Sequence, residues 1–515
     1  MVFHSMSSSR VVTMLAVSAG IVMSAAPTYG QESADPIDVG SRKQLFIDNK
    51  FIESADGVEL VMNPPHQTGE LLITAEQPWE EGGTVFVYSS VLKENGRVRV
   101  WYDLFRPTGP DPYDHERRVC YAESEDGVHF VKPLLGLHEV DDSTDNNVVL
   151  PGVIGGCAVW VDPNAPPEHR YKTQAKVYHP SGFHMHSSPD GLRWNLFAEV
   201  NARGATDTQT IVFWDRRIER YVFYGRDKDY VDLDGHRTSI RKVRRQESDN
   251  LKDWDTQSLV LEPDEMDLAA QDTPSILPPV DYYGATVFPY EEADQVYIML
   301  AQAFWHFTDR GYDGALGPYT RDVRLAVSRD GLSFDRVGDW RPFLRPGPAG
   351  RFDSKGVWAL PNPVRMGDEI WFYYAGTNVD RTQRPAEDRV DPYAPHGERL
   401  GGISRAIMRL DGFVSVDAPY EGGELVTPPI RFEGSGLELN LDTAGGGSVL
   451  VEILDEDGDP IPGYTLDDAT PLIGNMVRFP ARWGERHHVG TLAGRVVRLR
   501  FVMRDCKLYA FQFVP

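Results

Sequence analysis

The feature that most constrains this chain is a short turn motif, Ser-x-Asp-Gly-x-x-aromatic, which occurs in four versions. They read "SEDGVHF", "SPDGLRW", "SDNLKDW" and "SRDGLSF", and they begin at Ser124, Ser188, Ser248 and Ser328. The intervals between them are 64, 60 and 80 residues. A motif repeated at such intervals is typical of an array of similar structural units, and the blades of a β-propeller are one standard case.

The segments around the motif predict β-hairpins. Each has two runs of apolar and aromatic residues separated by a few polar residues, which is the pattern of two antiparallel strands and a turn. The clearest cases are "TVFVYSSVLKENGRVRVWYDLF", "TIVFWDRRIERYVFYGRD", "ATVFPYEEADQVYIMLAQAF" and "NPVRMGDEIWFYYAGT". The motif therefore follows the second or third strand of each unit.

The motif itself has a structural task. Asp and Gly favour a tight turn, because Gly accepts positive φ and the Asp side chain binds nearby backbone N–H groups. We expect the aromatic residue that follows to pack between adjacent sheets, and we assign little catalytic weight to the acids of the motif. These are Asp126, Asp190, Asp249 and Asp330.

A fifth unit follows the fourth motif. The segment 350–378 has the same hairpin pattern, and "LGGISRAIMRLDGF" predicts its third strand with a degenerate motif. The early strand "QLFIDNKFIE", Gln44–Glu53, is the candidate outer strand that closes the ring. We therefore predict five blades, with four and six as alternatives.

The chain divides into three segments by composition. Residues 1–30 have a basic residue, an apolar run and small residues, which is the pattern of a signal peptide and predicts a secreted or periplasmic protein. Residues 31–413 are assigned to the propeller. Residues 414–515 have short alternating strands rich in Gly and Pro, which predict a β-sandwich. The predicted fold class is all-β, a five-bladed β-propeller followed by a C-terminal β-sandwich.

Charge and cysteine content exclude several classes of function. A net charge of −25 disfavours binding to nucleic acid and to anionic membranes. Cys120, Cys157 and Cys506 are too few for a disulfide scaffold, and one disulfide or three free thiols remain open. No spacing of Cys and His indicates zinc, and "DEDGD" at 455–459 lacks the final acid of a calcium loop. We expect no organic cofactor; a structural cation in the central channel stays open.

The mature chain resembles the secreted five-bladed β-propeller glycoside hydrolases, the superfamily that includes families thirty-two, forty-three and one hundred and thirty. It is most similar to bacterial family thirty-two-like propeller proteins with a C-terminal β-sandwich. The resemblance lies in segments such as "DTQTIVFWD", "LAVSRDGLSFDR" and "GRFDSKGVWALPNPVRMGDEIWFYYAG". It implies a propeller that cleaves glycosidic bonds in a poly- or oligosaccharide. The Asn-Asp-Pro-Asn-Gly motif of invertases is absent, and Val161 precedes Asp162-Pro where the family has Arg.

Acids at the heads of the predicted inner strands are the candidate catalytic residues. Side chains just ahead of these strands converge on one funnel in a propeller, and this places Glu80 and Glu81, Asp207, Asp281 and Asp353 there. Glycoside cleavage needs two carboxyl groups, separated by about 6.5–9.5 Å in an inverting enzyme and about 5–5.5 Å in a retaining one. We expect an inverting hydrolase, with Asp207 as the first candidate.

Other side chains of these segments are candidates for substrate binding, because aromatic rings stack on sugars and polar groups bind their hydroxyls. They are Trp79, Gln209, Arg226, Tyr282, His306 and Trp358. Two alternatives stay open, a non-catalytic carbohydrate-binding propeller and a phosphorylase or lyase on the same scaffold. Clustered Arg and His beside the acids would indicate a phosphorylase, whereas a funnel with aromatics and at most one acid would indicate a binding protein.

Overall fold

The structure is a computed structural model, and it describes residues 35–109, 115–155, 157–177, 182–200, 208–233, 236–255, 257–269, 279–306, 319–379 and 400–515. The predicted signal peptide and Asp207 lie outside these residues. Strands dominate the described part, which has a single α-helix, Glu265–Ala269. Short turns of 3-10 helix occur at Asn49–Phe51, Pro78–Glu80, Pro167–His169, Gly338–Trp340 and Gly490–Leu492. No helix in these ranges combines the length and apolar character that a membrane span requires.

Five antiparallel units follow one another along the chain, and each is a blade. Blade one has strands Thr84–Glu94, Arg97–Pro107, His115–Ser124 and Val148–Pro151. Blade two has Val153–Gly155, Trp160–Val161, Tyr171–Val177, Gly182–Ser188 and Asn195–Glu199. Blade three has Ile211–Asp215, Arg220–Leu233, His236–Ser248 and Ser258–Leu261. Blade four has Val280–Pro289, Tyr297–His306, Tyr319–Ser328, Asp335–Arg336 and Pro342–Leu344. Blade five has Gly356–Ala359, Val364–Met366, Glu369–Thr377 and Gly401–Arg409.

The blades close into a ring, because every adjacent pair shares a buried apolar cluster. The seam between blades five and one is the decisive one, since it joins the ends of the array. There Tyr373 packs in the same cluster as Tyr102. Corresponding pairs in the other seams are Trp101 with Val159, Trp160 with Val212, Tyr224 with Ala326, and Leu325 with Phe372. The predicted propeller is therefore confirmed, with five blades.

The turn motif has the structure expected of it. The Ser124 hydroxyl accepts from the Gly127 amide at 2.9 Å, and Asp126 Oδ1 accepts from the next two amides at 2.8 Å each. The following Phe130 packs on Tyr373 of the neighbouring blade at 6.1 Å between ring centroids. In the third copy the interpretation of Asp249 as the motif acid is wrong, because Asn250 makes these bonds instead.

The motif also connects three blades, by hydrogen bonds, to the blade that precedes each of them in the ring. The Gly127 carbonyl accepts from Tyr373 Oη at 2.8 Å, across the seam between blades five and one. The Gly191 and Gly331 carbonyls accept in the same way from Trp101 and Tyr224, at 2.6 Å each. Gly127 has φ +77°, and a Cβ there would lie 2.7 Å from Tyr373 Oη. The motif Gly is thus required by both backbone conformation and close approach.

The ring is closed by a different strand from the predicted one. His66–Gln67 pairs with Ala406 and Ile407 of the last strand of blade five. The prediction that Gln44–Glu53 supplies this strand is wrong, because Gln44–Leu45 pairs with the final strand of the chain. Phe46 and Phe51 are fully buried in the C-terminal core. An apolar strand pattern indicates a buried face but does not specify which sheet the strand joins.

The C-terminal β domain is built from both ends of the chain. Its C-terminal strands are Val414–Ala418, Gly423–Val426, Ile430–Phe432, Gly436–Leu454, Asn475–Pro480 and Val496–Val514. They pair with the N-terminal strands Ile37–Gly40, Gln44–Leu45, Ser54–Asp56 and Glu59–Met62. The predicted fold class, a propeller followed by a β-sandwich, is confirmed. The division at residue 413 needs one addition, since residues 37–62 pair with the second domain.

The three cysteines are free and buried. Burial raises the pKa of the Cys157 thiol to about 12 and that of Cys506 to about 12. Such thiols are protonated and inert at neutral pH, so they behave as small apolar side chains in the core. The acidic segment at 455–459 is a turn, in which Asp455 Oδ1 accepts from the Asp457 and Asp459 amides at 3.1 and 3.0 Å.

Candidate functional site

One end of the ring gathers the candidate site residues. In each antiparallel blade the start of the inner strand, the end of the second strand and the start of the third strand lie side by side. In blade four this places Val280 opposite Trp305 and Trp305 opposite Thr320. We call this end of the ring the entrance end.

Tyr88 lies near the axis of the ring at the entrance end. Its side chain, on the inner strand of blade one, lies beside Thr208 and Arg226 of blade three and Tyr283 of blade four. Blades one, three and four are not all neighbours in the ring, so these side chains meet at the centre. Burial raises the pKa of the Tyr88 phenol above its usual value and Tyr283 adds to this, whereas the nearby Arg226 and Arg117 charges oppose it. We call this central region the entrance funnel.

Two side-chain amides, those of Gln209 and Asn362, connect the blades beneath the funnel. Gln209 Nε2 donates to the Ser89 carbonyl at 2.7 Å and to the Cys157 carbonyl at 3.3 Å. Asn362 Nδ2 donates to the Val91 and Val159 carbonyls at 3.1 and 3.0 Å. Each amide therefore ties its own blade to the inner strands of blades one and two. Gln209, a predicted substrate-binding residue, has its amide nitrogen engaged in this framework.

Asp281 is the predicted acid with the most distinctive environment. Its Oδ2 accepts from Arg241 Nη1 at 2.8 Å and from the Arg241 amide at 3.1 Å. Its Oδ1 accepts no hydrogen bond from the described residues and lies 3.4 Å from His306 Nε2. Only 1 % of its surface is exposed. One carboxylate oxygen is thus anchored, and the other faces the histidine.

The charges around Asp281 favour its ionised form. Burial alone would raise the pKa of this carboxyl, but the Arg241 charge and the adjacent His306 outweigh it and hold the pKa below its usual value. Burial lowers the pKa of His306, against the opposing effect of Asp281. The pair at neutral pH is therefore a carboxylate and a neutral imidazole. A buried anion beside a neutral imidazole suits proton transfer or nucleophilic attack.

A row of alternating guanidinium groups and aromatic rings extends from this pair. Arg226 lies 4.7 Å from the centroid of Tyr283, and Arg241 lies 5.1 Å from the same ring. Phe304 contacts Arg241 at 5.0 Å and Arg321 at 5.8 Å. Arg321 then stacks on Trp358 at 3.9 Å. We call these six residues the guanidinium row, and they span blades three, four and five.

Blade one adds a fourth arginine to the funnel. Arg117 lies 4.9 Å from the centroids of both Phe86 and Tyr88. Its Nε donates to Asp103 Oδ1 at 3.2 Å, and its Nη2 binds Asp103 Oδ2. Both residues are buried. Asp103 is thus an acid of the funnel that is held by an ion pair.

Three of these arginines were not predicted, although the chain carries a signal for them. Arg117, Arg241 and Arg321 each stand seven residues before the serine of a turn motif. The motif ends the third strand, so this spacing places an arginine in the first half of the third strand in three blades. The repeat thus extends from the turns into the strands that precede them.

Tyr282 and Tyr283 point to opposite sides of the inner strand of blade four. Tyr282, the predicted substrate-binding residue, is buried between blades; its hydroxyl donates to Asp267 at 2.9 Å and accepts from Trp340 Nε1 at 3.0 Å. Tyr283 faces the funnel, on the same side as Asp281. Alternation along a strand, counted from Asp281, is the signal that distinguishes the two tyrosines.

The predicted acids of blade one, Glu80 and Glu81, have environments unlike that of Asp281. Glu80 is fully buried and accepts from Tyr102 Oη at 2.5 Å, from Lys132 Nζ at 2.7 Å and from two backbone amides. Both its oxygens are occupied, which is typical of a structural carboxylate. Glu81 is exposed. Trp79 donates from Nε1 to Asn147 at 2.8 Å, in the same network.

Asp353 lies at the head of the inner strand of blade five. Its Oδ2 accepts from Tyr374 Oη at 3.1 Å, and Gly347 and Gly376 approach it so closely that no side chain would fit there. Burial raises the pKa of the Asp353 carboxyl, although the Tyr374 bond opposes the shift. The raised pKa of Asp353 suits a proton donor, but the side chain contacts the flank of its own blade.

Three further predicted residues, Arg226, His306 and Trp358, all lie at the funnel. Asp207, the first catalytic candidate, falls on residues that the structure does not describe. Among the described residues no cluster of three or more His, Cys, Asp or Glu side chains could hold a metal ion. The funnel of the described chain thus joins Asp281 and His306 to four arginines and several aromatic rings.

No family model matches the sequence, and no curated protein matches it significantly. Solved structures with a similar chain path were found. The β-1,2-mannobiose phosphorylase of Listeria innocua, in complex with β-1,2-mannobiose, has 14% identity and a TM-score of 0.44, over 68% of this chain and 98% of that one. A glycosyl hydrolase of Bacteroides ovatus has 13% identity and a TM-score of 0.41, over 68% and 94%. A third structure, named only as a glycoside hydrolase, has 11% identity and a TM-score of 0.41, over 68% and 94%. At TM-scores below 0.5 these likenesses assign no role to any side chain of this protein.

Proposed function

We propose that this protein is a secreted carbohydrate-active enzyme that hydrolyses a glycosidic bond in the entrance funnel. The observation that carries the proposal is the state of Asp281. It is a buried carboxylate held ionised by Arg241, and its second oxygen is directed at a neutral His306. The bonds to Arg241 also link blade four to blade three, but they occupy only Oδ2 and leave Oδ1 directed at the imidazole.

Hydrolysis of a glycosidic bond requires two carboxyl groups with different roles. One must stay ionised, as nucleophile or as base for a water molecule, and the other must carry a proton for the leaving oxygen. Asp281 takes the ionised role. Asp207 is proposed as the acid, from its place at the head of the neighbouring inner strand, and Asp353, whose carboxyl pKa is raised, is the alternative. An inverting reaction remains our expectation.

The rings around Asp281 supply the rest of a saccharide site. Tyr283, Phe304 and Trp358 are buried rings at the funnel, and aromatic side chains are common in saccharide sites. Arg226 and Arg321 lie over rings of the same row, and guanidinium groups donate to oxygen atoms. These residues come from blades three to five, so a bound saccharide would contact the same blades as Asp281.

The test is a screen of the purified mature protein on plant and algal polysaccharides, with release of reducing ends as the readout. We expect cleavage of at least one glycan, and NMR of the first product should show inversion at the anomeric carbon. Measurable affinity for a glycan without cleavage would instead support the binding propeller. Asp207→Asn, compared with Glu81→Gln at the exposed neighbour of Glu80, tests the assignment of the acid.

A second candidate function is phosphorolysis of a glycosidic bond. It is favoured by one observation, that Arg226, Arg241 and Arg321 cluster beside Asp281 and His306. A phosphorylase uses such cations to hold phosphate as the attacking group. Formation of a sugar 1-phosphate that depends on added phosphate would favour this reaction, and cleavage at equal rate without phosphate would exclude it.

A further inference from the structure

We propose that Tyr230 is a distal saccharide-binding residue, on which a sugar unit of the glycan stacks outside the entrance funnel. This inference rests on the proposed function and extends the same site along the substrate. It is carried by the position of Tyr230 on a two-stranded projection of blade three, which also carries Arg241, the partner of Asp281. The substrate is then an oligo- or polysaccharide long enough to reach from the funnel to this ring.

The projection arises because two strands of blade three are longer than the strands beside them. The second and third strands pair with each other over almost their whole lengths. The inner strand pairs no further than Tyr224, and the outer strand pairs no further than Val243. Residues 226–233 and 236–242 therefore form a ribbon to which the described part of this sheet adds no third strand. We call it the entrance ribbon.

The described residues of the other four blades have no comparable extension. In blade one the second strand ends at Pro107, two residues after its last pairing with the inner strand, at Phe105. In blade four it ends at His306, one residue after the paired Trp305. In blades two and five it ends at a residue that is itself paired with the inner strand. The ends of second strands lie at the entrance end, so the entrance ribbon projects from that end beyond the described strands of the other blades.

Ion pairs cover one face of the entrance ribbon. A two-stranded hairpin alone is marginally stable in water, so the ribbon needs contacts that hold it. Lys242 pairs with Asp229 and with Glu262, and Arg244 pairs with Asp227. Glu262 directly follows the outer strand of the blade, so these pairs orient the ribbon against that strand. The charged face is thus occupied by the protein itself, which leaves the opposite face for contact with a ligand.

The opposite face of the entrance ribbon continues the surface of the funnel. Side chains alternate along a strand, so Arg226 and Tyr230 lie on the same face as Arg241 of the paired strand. Arg226 and Arg241 both lie over the ring of Tyr283 at the funnel. Exposure increases outward along this face, from 3% at Arg226 to 60% at Tyr230. One continuous surface therefore leads from the funnel to an exposed aromatic ring.

The spacing between the funnel and the exposed ring fits a chain of sugar units. A strand rises about 3.3 Å per residue, so Tyr230 lies about 13 Å from Arg226 along the ribbon. This distance is longer than one monosaccharide, so a sugar on Tyr230 is a later unit of the glycan whose bond lies beside Asp281. An exposed phenol ring offers its face to the apolar side of a pyranose. Tyr230 therefore favours long glycans over short ones.

The experiment compares chain lengths of one glycan on the full mature protein. Affinity electrophoresis in gels that contain galactan, arabinan, xylan, mannan or laminarin identifies the polysaccharide that retards the protein most. Calorimetry then measures the affinity for the linear disaccharide and hexasaccharide of that glycan. We expect the hexasaccharide to bind about tenfold or more tightly, because only the longer chain reaches Tyr230. Equal affinities would overturn the inference, as would the absence of retardation in every gel.

The matched variants are Tyr230→Ala and Tyr420→Ala. Tyr420 is likewise an exposed tyrosine, with 68% of its surface accessible, but it lies in a turn of the C-terminal domain. We expect Tyr230→Ala to weaken binding of the hexasaccharide about tenfold and to leave binding of the disaccharide unchanged. Tyr230→Phe keeps the ring and should retain the affinity, and Tyr420→Ala should change neither affinity. No loss in Tyr230→Ala, or an equal loss in both alanine variants, would overturn the inference.

Cleavage assays on the same oligosaccharides separate this inference from the proposed function. A preference for the hexasaccharide that depends on Tyr230, without cleavage of the hexasaccharide, supports the inference and contradicts hydrolysis. Cleavage of the hexasaccharide with a KM that Tyr230→Ala leaves unchanged supports hydrolysis and contradicts the inference. A change of oligomeric state in Tyr230→Ala, with the affinity for the hexasaccharide unchanged, would assign the entrance ribbon to contact with a second copy of the chain and overturn the inference.

Discussion

Tyr373 Oη donates a hydrogen bond of 2.8 Å to the Gly127 carbonyl, and this bond crosses the seam where the last blade meets the first. Tyr373 belongs to strand Glu369–Thr377 of blade five, and Gly127 to the turn that follows the third strand of blade one. The same bond occurs between Tyr224 and Gly331 within the array, at 2.6 Å. The closing seam is thus built like an internal seam.

The first prediction concerns this closing bond. Tyr373→Phe removes the donor and leaves a buried carbonyl without it, which should lower the free energy of unfolding by about 1–3 kcal/mol. Tyr224→Phe is the matched variant, and its loss should be of similar size. Urea denaturation of both variants checks this. A loss in Tyr224→Phe alone would mean that the hydrogen bond across the seam between blades five and one contributes nothing.

The second prediction separates close approach from backbone strain at the motif glycine. Gly127 and Gly96 have similar φ values of +77° and +80°, but a Cβ at Gly96 would meet no atom within 4 Å. Gly127→Ala should cost about 2–4 kcal/mol in unfolding free energy, because the strain and the contact with Tyr373 add. Gly96→Ala should cost only about 1 kcal/mol. Equal losses in thermal or urea denaturation would contradict the role assigned to the motif.

The third prediction concerns the pH dependence of stability. Burial, with the nearby charge of His184, lowers the pKa of His186 from 6.5 to about 4. The unfolded chain therefore binds this proton first as the pH falls below 6.5. Stability from His186 is complete above that pH and is lost between 6.5 and about 4, with a slope of about 1.4 kcal/mol per pH unit. His186→Gln should flatten the profile of urea denaturation in that window, and an unchanged slope would contradict the assignment.

Much of the fold was predictable from the sequence because its signals are local. The Ser, Asp and Gly of the turn motif act within a few residues, so "SEDGVHF" alone predicts the turn at Ser124. The strand Gln44–Glu53 was placed in the wrong sheet because its pairing with Phe511 and Ala510 depends on contacts with the far end of the chain. An apolar pattern predicts that a strand is buried but does not identify the strand with which it pairs.

The site was predictable only in part, because the neighbours of each acid come from strands that are distant in the sequence. Asp281 was found because an acid ahead of a predicted inner strand is visible in the sequence. Its neighbours Arg241 and His306 come from other strands, and the contacts among them follow from strand register. Glu80 looks equivalent to Asp281 in sequence, but Lys132 and Tyr102 occupy its oxygens in the folded chain. The position of an acid on a strand can be read from sequence, whereas its protonation state depends on the packing around it.

The most direct test of the central claim is the effect of Asp281→Asn on cleavage of the best glycan found in the screen. Asparagine keeps the shape of the side chain and removes its charge, so kcat should fall about 10²–10⁴-fold while the protein stays folded. The control is Asp322→Asn on the same blade, since Asp322 pairs with Arg324 as Asp281 pairs with Arg241 but is bound away from His306. The account predicts loss of activity in Asp281→Asn and near-normal activity in Asp322→Asn. Full activity in folded Asp281→Asn would contradict it.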